Sequence, residues 1–148
     1  MLPINYEAVF IATVVSFIIG FLWHGPVLGG MYMRLSGLTM PTGDEKKKMM
    51  TGMWKPMLAN LVVNFMMALI TAGVYLAEST STVMGGVGVI PGIIVSAWLW
   101  FGFAIPLTSM TVIWGIGGKY ISKKLWVFEA AYWLVMMCSM GAIIGGMM

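Results

Sequence analysis

Charged residues are scarce in this chain of 148 residues. Lys, Arg, Asp and Glu together make up 9% of the sequence, whereas soluble domains carry about 25%. Hydrophobic residues make up 60%, which exceeds the roughly 45–50% of a soluble domain. These proportions argue against a soluble globular domain, a disordered chain and a disulfide scaffold. They predict an integral membrane protein of about one domain.

Cysteine and histidine are equally rare, with one residue of each. Cys138 stands inside the last apolar run, so no disulfide can form within the chain. The apolar runs contain no Asp and no pair of carboxylates, and His24 is the single histidine. A nucleophile with its base, or a metal site with three ligands, therefore cannot be assembled. We expect the protein not to be an enzyme and to need no cofactor.

A basic segment is also missing ahead of the first apolar run. Gly25-Pro26 follows that run where a secretory signal would end in an Ala-x-Ala site. We expect the run to be retained as a membrane span.

Four apolar runs are long enough to cross a bilayer, which takes about 20 residues of helix. They lie at about 6–24, 57–77, 90–114 and 125–147. The runs lack the alternating pattern of barrel strands. The predicted fold is therefore all-α, an integral membrane four-helix bundle in a single domain, 1–148, with a connection at 25–53.

The basic residues lie in two of the connections between these spans. Five lie between spans one and two, and three lie between spans three and four. They are Arg34, Lys46, Lys47, Lys48, Lys55, Lys119, Lys123 and Lys124. Because basic residues are retained on the cytoplasmic side, both termini are predicted to be extracytoplasmic. The lipid bilayer is the expected partner, and nucleic acid is not.

The connection between spans one and two is long enough to fold locally. Pro26 suits the first turn of a helix, and Gly37 suits a C-cap. Apolar residues lie between them at helical spacing, namely Leu28, Met31, Tyr32 and Leu35. This pattern predicts a short amphipathic helix in the cytoplasmic interface.

The residues Thr42 to Glu45 have the spacing of a capping box ahead of Lys46–Lys48. Span two could thus begin as a helix near Gly43, with a kink or restart at Pro56. We interpret the charged run as a solvated turn, with recognition of anionic lipid headgroups as the alternative.

Spans one and three share a pattern. Ser16 precedes Pro26 by ten residues, and Ser96 precedes Pro106 by ten. This spacing suggests a duplicated two-helix unit, while two unrelated proline-containing helices are the simpler alternative. Pro106 removes a helix hydrogen bond inside span three, which indicates either a packed kink or a break used for gating or ligand binding.

Polar residues inside the spans are the candidate functional groups. Asn60 and Asn64 lie on one face of span two, and we group them with Ser96 and Thr108 as a candidate polar face. Such groups bind neighbouring helices or line a polar pathway.

His24 ends span one, and Glu129 lies one turn into span four. Ionisable groups in spans are functional candidates by default, although hydrogen bonds at the interface would also explain both.

Methionine is abundant, at 17 residues. Met136 and Met140 lie one turn apart, and Gly141 and Gly145 follow as a GxxxG pair. Thioethers are suitable Cu(I) ligands, so copper handling is one hypothesis, whereas methionine as a flexible apolar filler is the other. The glycines, with Pro106, are predicted to serve helix packing, within the bundle or between protomers.

Three short motifs follow one another near the start of the chain: Asn5-Tyr6, Trp23-His24-Gly25-Pro26 and Leu35-Ser36-Gly37. A fourth, Trp100-Phe-Gly-Phe-Ala-Ile-Pro106, lies in span three. In these motifs the chain resembles the domain of unknown function 1761 family, small four-span membrane proteins of bacteria and archaea. His24 stands where that family's pattern has Tyr. The resemblance implies a prokaryotic cytoplasmic membrane and transfers no activity.

Two functions are compatible with the sequence. The first is a structural or accessory subunit that assembles into a larger membrane complex through its Gly, Met and Trp surfaces. The second is a homo-oligomeric module for permeation or transport of a small solute, with the candidate polar face lining its path. Both predict an oligomer or a complex.

Overall fold

The computed structural model describes residues 4–38, 42–44, 51–79, 86–113 and 121–148, and these residues form no strand. Four of its helical segments are long and apolar enough to cross a membrane. They are Tyr6–Val27, Trp54–Ser79, Val89–Ile113 and Lys123–Met147. The prediction of an all-helical fold with four long apolar helices is confirmed, and the helices are compatible with a bundle.

The first segment consists of α1 (Tyr6–Leu22) and a π-helical turn (Trp23–Val27). Asn5 caps α1, since its side chain accepts hydrogen bonds from the backbone N–H groups of the first turn. The π-helical turn is kinked at Gly25, whose φ of −111° and ψ of −114° are not helical. Pro26 follows at once and has no N–H to donate, which favours a break at this point.

The short helix α2 (Gly29–Ser36) follows the kink and ends at Gly37, whose φ of 68° lies in the left-handed region. We predicted that Pro26 would lie in the first turn of this helix. It lies three residues earlier instead, because the chain is still completing the bend of the π-helical turn there. The charged run at 45–50 lies outside the described residues.

The second segment, α3 (Trp54–Ser79), has Pro56 at its third position, where a missing N–H leaves no bond unmade. The third segment is interrupted. It consists of α4 (Val89–Leu99), a second π-helical turn (Trp100–Ala104) and α5 (Ile105–Ile113). The fourth, α6 (Lys123–Met147), is capped by the Ser122 side chain. The predicted end of span three at Trp114 lies outside the described residues.

Hydroxyl groups pair the carbonyls beside the bend of the third segment. Thr108 Oγ1 donates to the Ala104 carbonyl at 2.7 Å, and Ser109 Oγ donates to the Ile105 carbonyl at 2.7 Å. Pro106 is exposed at the second position of α5. Its side chain is therefore not packed inside the bundle of the described helices, and a role in packing between protomers stays a prediction.

Helix α6 lies at the centre of the packing, because it contacts α1, α3, α4 and α5. Its side chains Met136, Met140 and Ile144 are fully buried. Two indole groups join it to the third segment. Trp100 Nε1 donates to the Ala130 carbonyl at 2.9 Å, and Trp126 Nε1 donates to Thr108 Oγ1 at 3.3 Å.

Glycines bring α4 and α6 into backbone contact. Gly92 faces Gly141, and Gly145 faces Gly88 across the same interface. A Cβ atom at Gly141 would overlap the Gly92 carbonyl and the Ser96 hydroxyl. Close approach of this kind is what small residues permit between apolar helices.

Hydrogen bonds identify the two ends of the bundle. Asn5 Nδ2 donates to the Met147 carbonyl at 2.9 Å, so α1 begins beside the end of α6. At the same end, the Gly88 N–H donates to the Tyr75 hydroxyl at 2.7 Å, which joins the end of α3 to the start of α4. The opposite end holds the start of α3 and of α6, and the kink that leads into α2.

We predict that Gly141→Leu destabilises the protein by about 1–3 kcal/mol, as overpacking typically does. The side chain would meet backbone, which cannot move aside. Gly73→Leu is the matched control, because nothing lies within 4 Å of a Cβ at Gly73. Thermal unfolding in detergent measures both variants. Equal stability of the two would contradict the glycine contact.

Candidate functional site

His24 and Glu129 meet between the kink after α1 and the first half of α6. His24 Nε2 lies 3.0 Å from Glu129 Oε1, and the two side chains are 31% and 26% exposed. The other ring nitrogen, Nδ1, lies 3.3 Å from the Gly20 carbonyl oxygen. Both ring nitrogens of one histidine therefore face oxygen atoms.

The chemistry of the ring decides which of these contacts are hydrogen bonds. A neutral imidazole has one N–H, and carbonyl and carboxylate oxygens can only accept. An imidazole with its proton on Nε2 donates to Glu129, and an imidazole with two ring protons donates to both oxygens. The pair therefore joins the kink after α1 to α6 through a direct side-chain contact.

Aromatic rings surround the His24 imidazole on α2 and α6. The ring centroids of Tyr132 and Tyr32 lie 4.7 and 5.1 Å from it, both edge-to-face. Phe128 lies 6.2 Å from it and also packs against Trp23 at 5.5 Å. The rings exclude water from one side of the pair and hold the imidazole in place.

The indole N–H of Trp23 is buried beside these rings and has no hydrogen-bond partner within the described part of the chain. A buried unpaired donor is costly, by about 1–3 kcal/mol. Trp23 thus offers the site an unused donor next to Phe128 and Tyr132.

A cavity of about 280 Å³ lies on the other side of His24, between α1 and the start of α3, and we call it the His24 cavity. Phe17, Phe21, Met53 and Met57 form its apolar wall. Its polar wall consists of His24 and Asn60. The volume is just below the range for small-molecule sites, about 300–1,000 Å³.

Asn60 connects the cavity to the interior of the bundle. Asn64, which is 2% exposed, donates from Nδ2 to Asn60 Oδ1 at 3.4 Å. The structure thus brings together these two members of the candidate polar face. One amide lies at the cavity wall and the other lies in the core.

The other two members lie elsewhere. Ser96 is fully buried against Gly141, and its hydroxyl has no partner among the described residues. Thr108 lines a different cavity, beside the bend of the third segment. The four residues therefore do not form one continuous face.

Met136 and Met140 are fully buried, and the Thr71 hydroxyl donates to Met140 Sδ at 3.8 Å. Copper handling by the two methionines stays a prediction. Within the described ranges, no group of three or more His, Cys, Asp or Glu side chains is placed to hold a metal ion.

Sequence reasoning identified His24 and Glu129 separately but did not pair them, since 105 residues separate them. It also missed Tyr132 and Phe128. One signal was present: Phe128 and Tyr132 lie four residues apart, which places them on one face of α6 beside Glu129.

A family model described as "Protein of unknown function (DUF1761)" matches residues 7–145, nearly the whole chain. The chain belongs to this family, and the resemblance inferred from its motifs is confirmed. Neither a curated protein nor a solved structure matches it significantly.

We predict that His24 and Glu129 stabilise the protein as a coupled pair. His24→Ala and Glu129→Ala should each lower the free energy of unfolding, and the double variant should lose less than their sum. We expect a coupling energy of about 1 kcal/mol, as for other hydrogen bonds between helices in membranes. Denaturant titration in detergent measures it. Glu7, which is exposed at the other end of α1, provides the control. The losses in unfolding free energy of His24→Ala and Glu7→Ala should add up in the double variant. Additive losses for His24→Ala and Glu129→Ala would refute the coupling.

Proposed function

We propose that this member of the DUF1761 family is an integral membrane protein that passes a small uncharged solute through its helix bundle. The observation that carries the proposal is the hydrogen-bonded pair of His24 and Glu129 beside the His24 cavity. Ionisable groups inside apolar helices are costly, and they commonly mark pathways for solutes and protons.

A row of buried polar side chains supports a path beyond the cavity. These side chains are at most 3% exposed on the inner faces of α1 and α3, and we call them the polar row: Asn64, Ser16, Thr13 and Thr71. At about 1.5 Å per residue, they lie about 6, 12, 17 and 17 Å along their helices from His24 or Asn60. Hydrogen-bonding groups thus recur at steps of about 5 or 6 Å.

The chemistry of the row favours an uncharged solute. Its members are an amide and three hydroxyls, which carry no charge. Thr13 and Thr71 already donate to the Val9 carbonyl and to Met140 Sδ, and their oxygen atoms can still accept hydrogen bonds. An ion would meet no compensating charge along these residues, whereas a small polyol or amide could exchange its water for side-chain hydrogen bonds.

The proposed orientation places the His24 cavity at the cytoplasmic surface and both termini outside. All the described basic residues lie at the His24 end of the bundle: Arg34, Lys55, Lys123 and Lys124. The opposite end holds Asn5, Tyr75 and Gly88. Positive charge is retained in the cytoplasm, which supports insertion in a prokaryotic cytoplasmic membrane in this direction.

A subunit role in a larger membrane complex, or in a homo-oligomer, is the second candidate. It is supported by the third segment, which the rest of the chain covers least. Trp98 and Phe101 are more than 60% exposed there. Permeation is favoured because the glycines that could form an interface between chains are already packed within one chain, and a scaffold has no need of the polar row.

The orientation predicts which positions an impermeant maleimide reaches in intact cells. In a Cys138→Ser background, Ser79→Cys should react, whereas Arg34→Cys should react only after the cells are opened. Reaction of Arg34→Cys but not of Ser79→Cys in intact cells would show that the orientation is opposite to the proposed one. Reaction of both positions in intact cells would contradict a membrane span between them.

Permeation is tested by stopped-flow light scattering of proteoliposomes with glycerol and urea as probes. Wild-type protein should accelerate the relaxation for at least one probe, and Asn64→Leu should abolish the acceleration by blocking the row. Ser139→Leu is the control, because that hydroxyl donates to its own helix at Val135. Gel filtration and circular dichroism check that the variants fold. A rate equal to that of protein-free liposomes for wild type, or an unchanged rate in Asn64→Leu, would contradict the proposal.

A further inference from the structure

A second cavity, of about 460 Å³, lies beside the bend of the third segment, and we call it the Ala104 cavity. Its walls come from α3, the end of α4, the second π-helical turn, α5 and α6. We propose that the Ala104 cavity holds one acyl chain of a membrane phospholipid. The proposal rests on the bilayer insertion argued above and does not depend on permeation.

The cavity lies where the third segment passes through its π-helical turn. Before the bend, α4 packs against both α3 and α6, whereas α5 continues in contact with α6 after it. The chain therefore moves away from α3 at Trp100–Ala104. Ala104 is the small side chain at the point of separation, and the space it leaves is not filled by its neighbours.

The two hydroxyl groups of the lining already donate their protons within the chain. Thr71 Oγ1 donates to Met140 Sδ, and Thr108 Oγ1 donates to the Ala104 carbonyl. The remaining lining is almost entirely hydrocarbon, thioether and aromatic surface, from residues such as Leu99, Met137 and Trp133. A polar ligand group would lose its hydrogen bonds to water and gain few in return. The cavity thus selects a hydrocarbon chain.

The mouth of the cavity lies at the depth of lipid acyl chains. Met67 in its wall lies 13 residues after the start of α3 at Trp54, about 20 Å at roughly 1.5 Å per residue. This is well inside a hydrocarbon core about 30 Å thick. Ile70, Phe103 and Leu107 form the rim and are 59%, 66% and 69% exposed. The cavity surface is therefore continuous with the apolar outer surface of the bundle.

The size of the cavity also favours a lipid acyl chain, and not a second copy of the protein, as its occupant. The volume lies within the range of ligand sites, about 300–1,000 Å³. A helix of another copy is about 10–12 Å wide with its side chains, so it would cover the mouth without filling the space. A single flexible chain can enter between Phe103 and Leu107 and reach Ala104.

The test uses phosphatidylcholine with a photoreactive diazirine in the middle of one acyl chain, in nanodiscs that contain the protein. After irradiation, mass spectrometry of peptides locates the labelled residues. We expect label on the inner wall, at Thr71 and Met137, and also at Trp98, which is exposed outside the cavity. Ala104→Phe, which fills the cavity, should remove the label from the inner wall and leave the label at Trp98.

Leu107→Trp tests the same cavity from its rim, in case Ala104→Phe does not fold. Ile90→Trp is the matched control, because Ile90 is an equally exposed aliphatic residue on the same segment and away from the cavity. Label at Trp98 without label on the inner wall would overturn the acyl-chain site and leave bilayer insertion standing. Absence of label at both would overturn the insertion and the acyl-chain site together. Inner-wall label that persists in both cavity variants would also overturn the site.

Discussion

In the bilayer that we propose for this protein, the helices must satisfy their own backbone hydrogen bonds, because lipid offers no replacement for a bond that is broken. The α-helical pattern is interrupted twice in the described segments, at Trp23–Val27 and at Trp100–Ala104. Both interruptions are supported by side chains that reach across to α6. His24 reaches Glu129 at the first, and Trp100 reaches the Ala130 carbonyl at the second. Each cavity discussed above opens beside one of these breaks.

The two breaks differ in chemistry. The first carries an imidazole, a carboxylate and an amide, and its cavity has a polar wall. Beside the second, Thr108 and Ser109 donate to the Ala104 and Ile105 carbonyls, and the cavity there is apolar. If the chain arose from a duplicated two-helix unit, one copy kept polar groups at the break and the other kept hydrocarbon. Ser16 and Ser96, which suggested the repeat, are both fully buried without a hydrogen-bond partner within the described ranges.

Sequence alone was sufficient for the number and type of the long helices, because length and apolar composition decide them. It also located the break at Gly25-Pro26 and the bend before Pro106, since proline removes a donor. It could not pair His24 with Glu129 or separate Ser96 from Asn60, because helical periodicity gives the face of a residue on its own helix. Helical periodicity does not give the rotation of one helix about its axis, or its axial position, relative to the next helix. Those are set by contacts such as Gly92 against Gly141, and they follow from the whole packing.

The hydrogen bond from Asn5 to the Met147 carbonyl gives the chain an almost circular path. The first and last helices are neighbours, so their arrangement in space is compatible with a cyclic permutation of the helix order along the polypeptide. A short linker across that gap would allow new ends to be opened in another connection with every helix left in place. Genes that encode the two halves in the opposite order would therefore specify the same bundle.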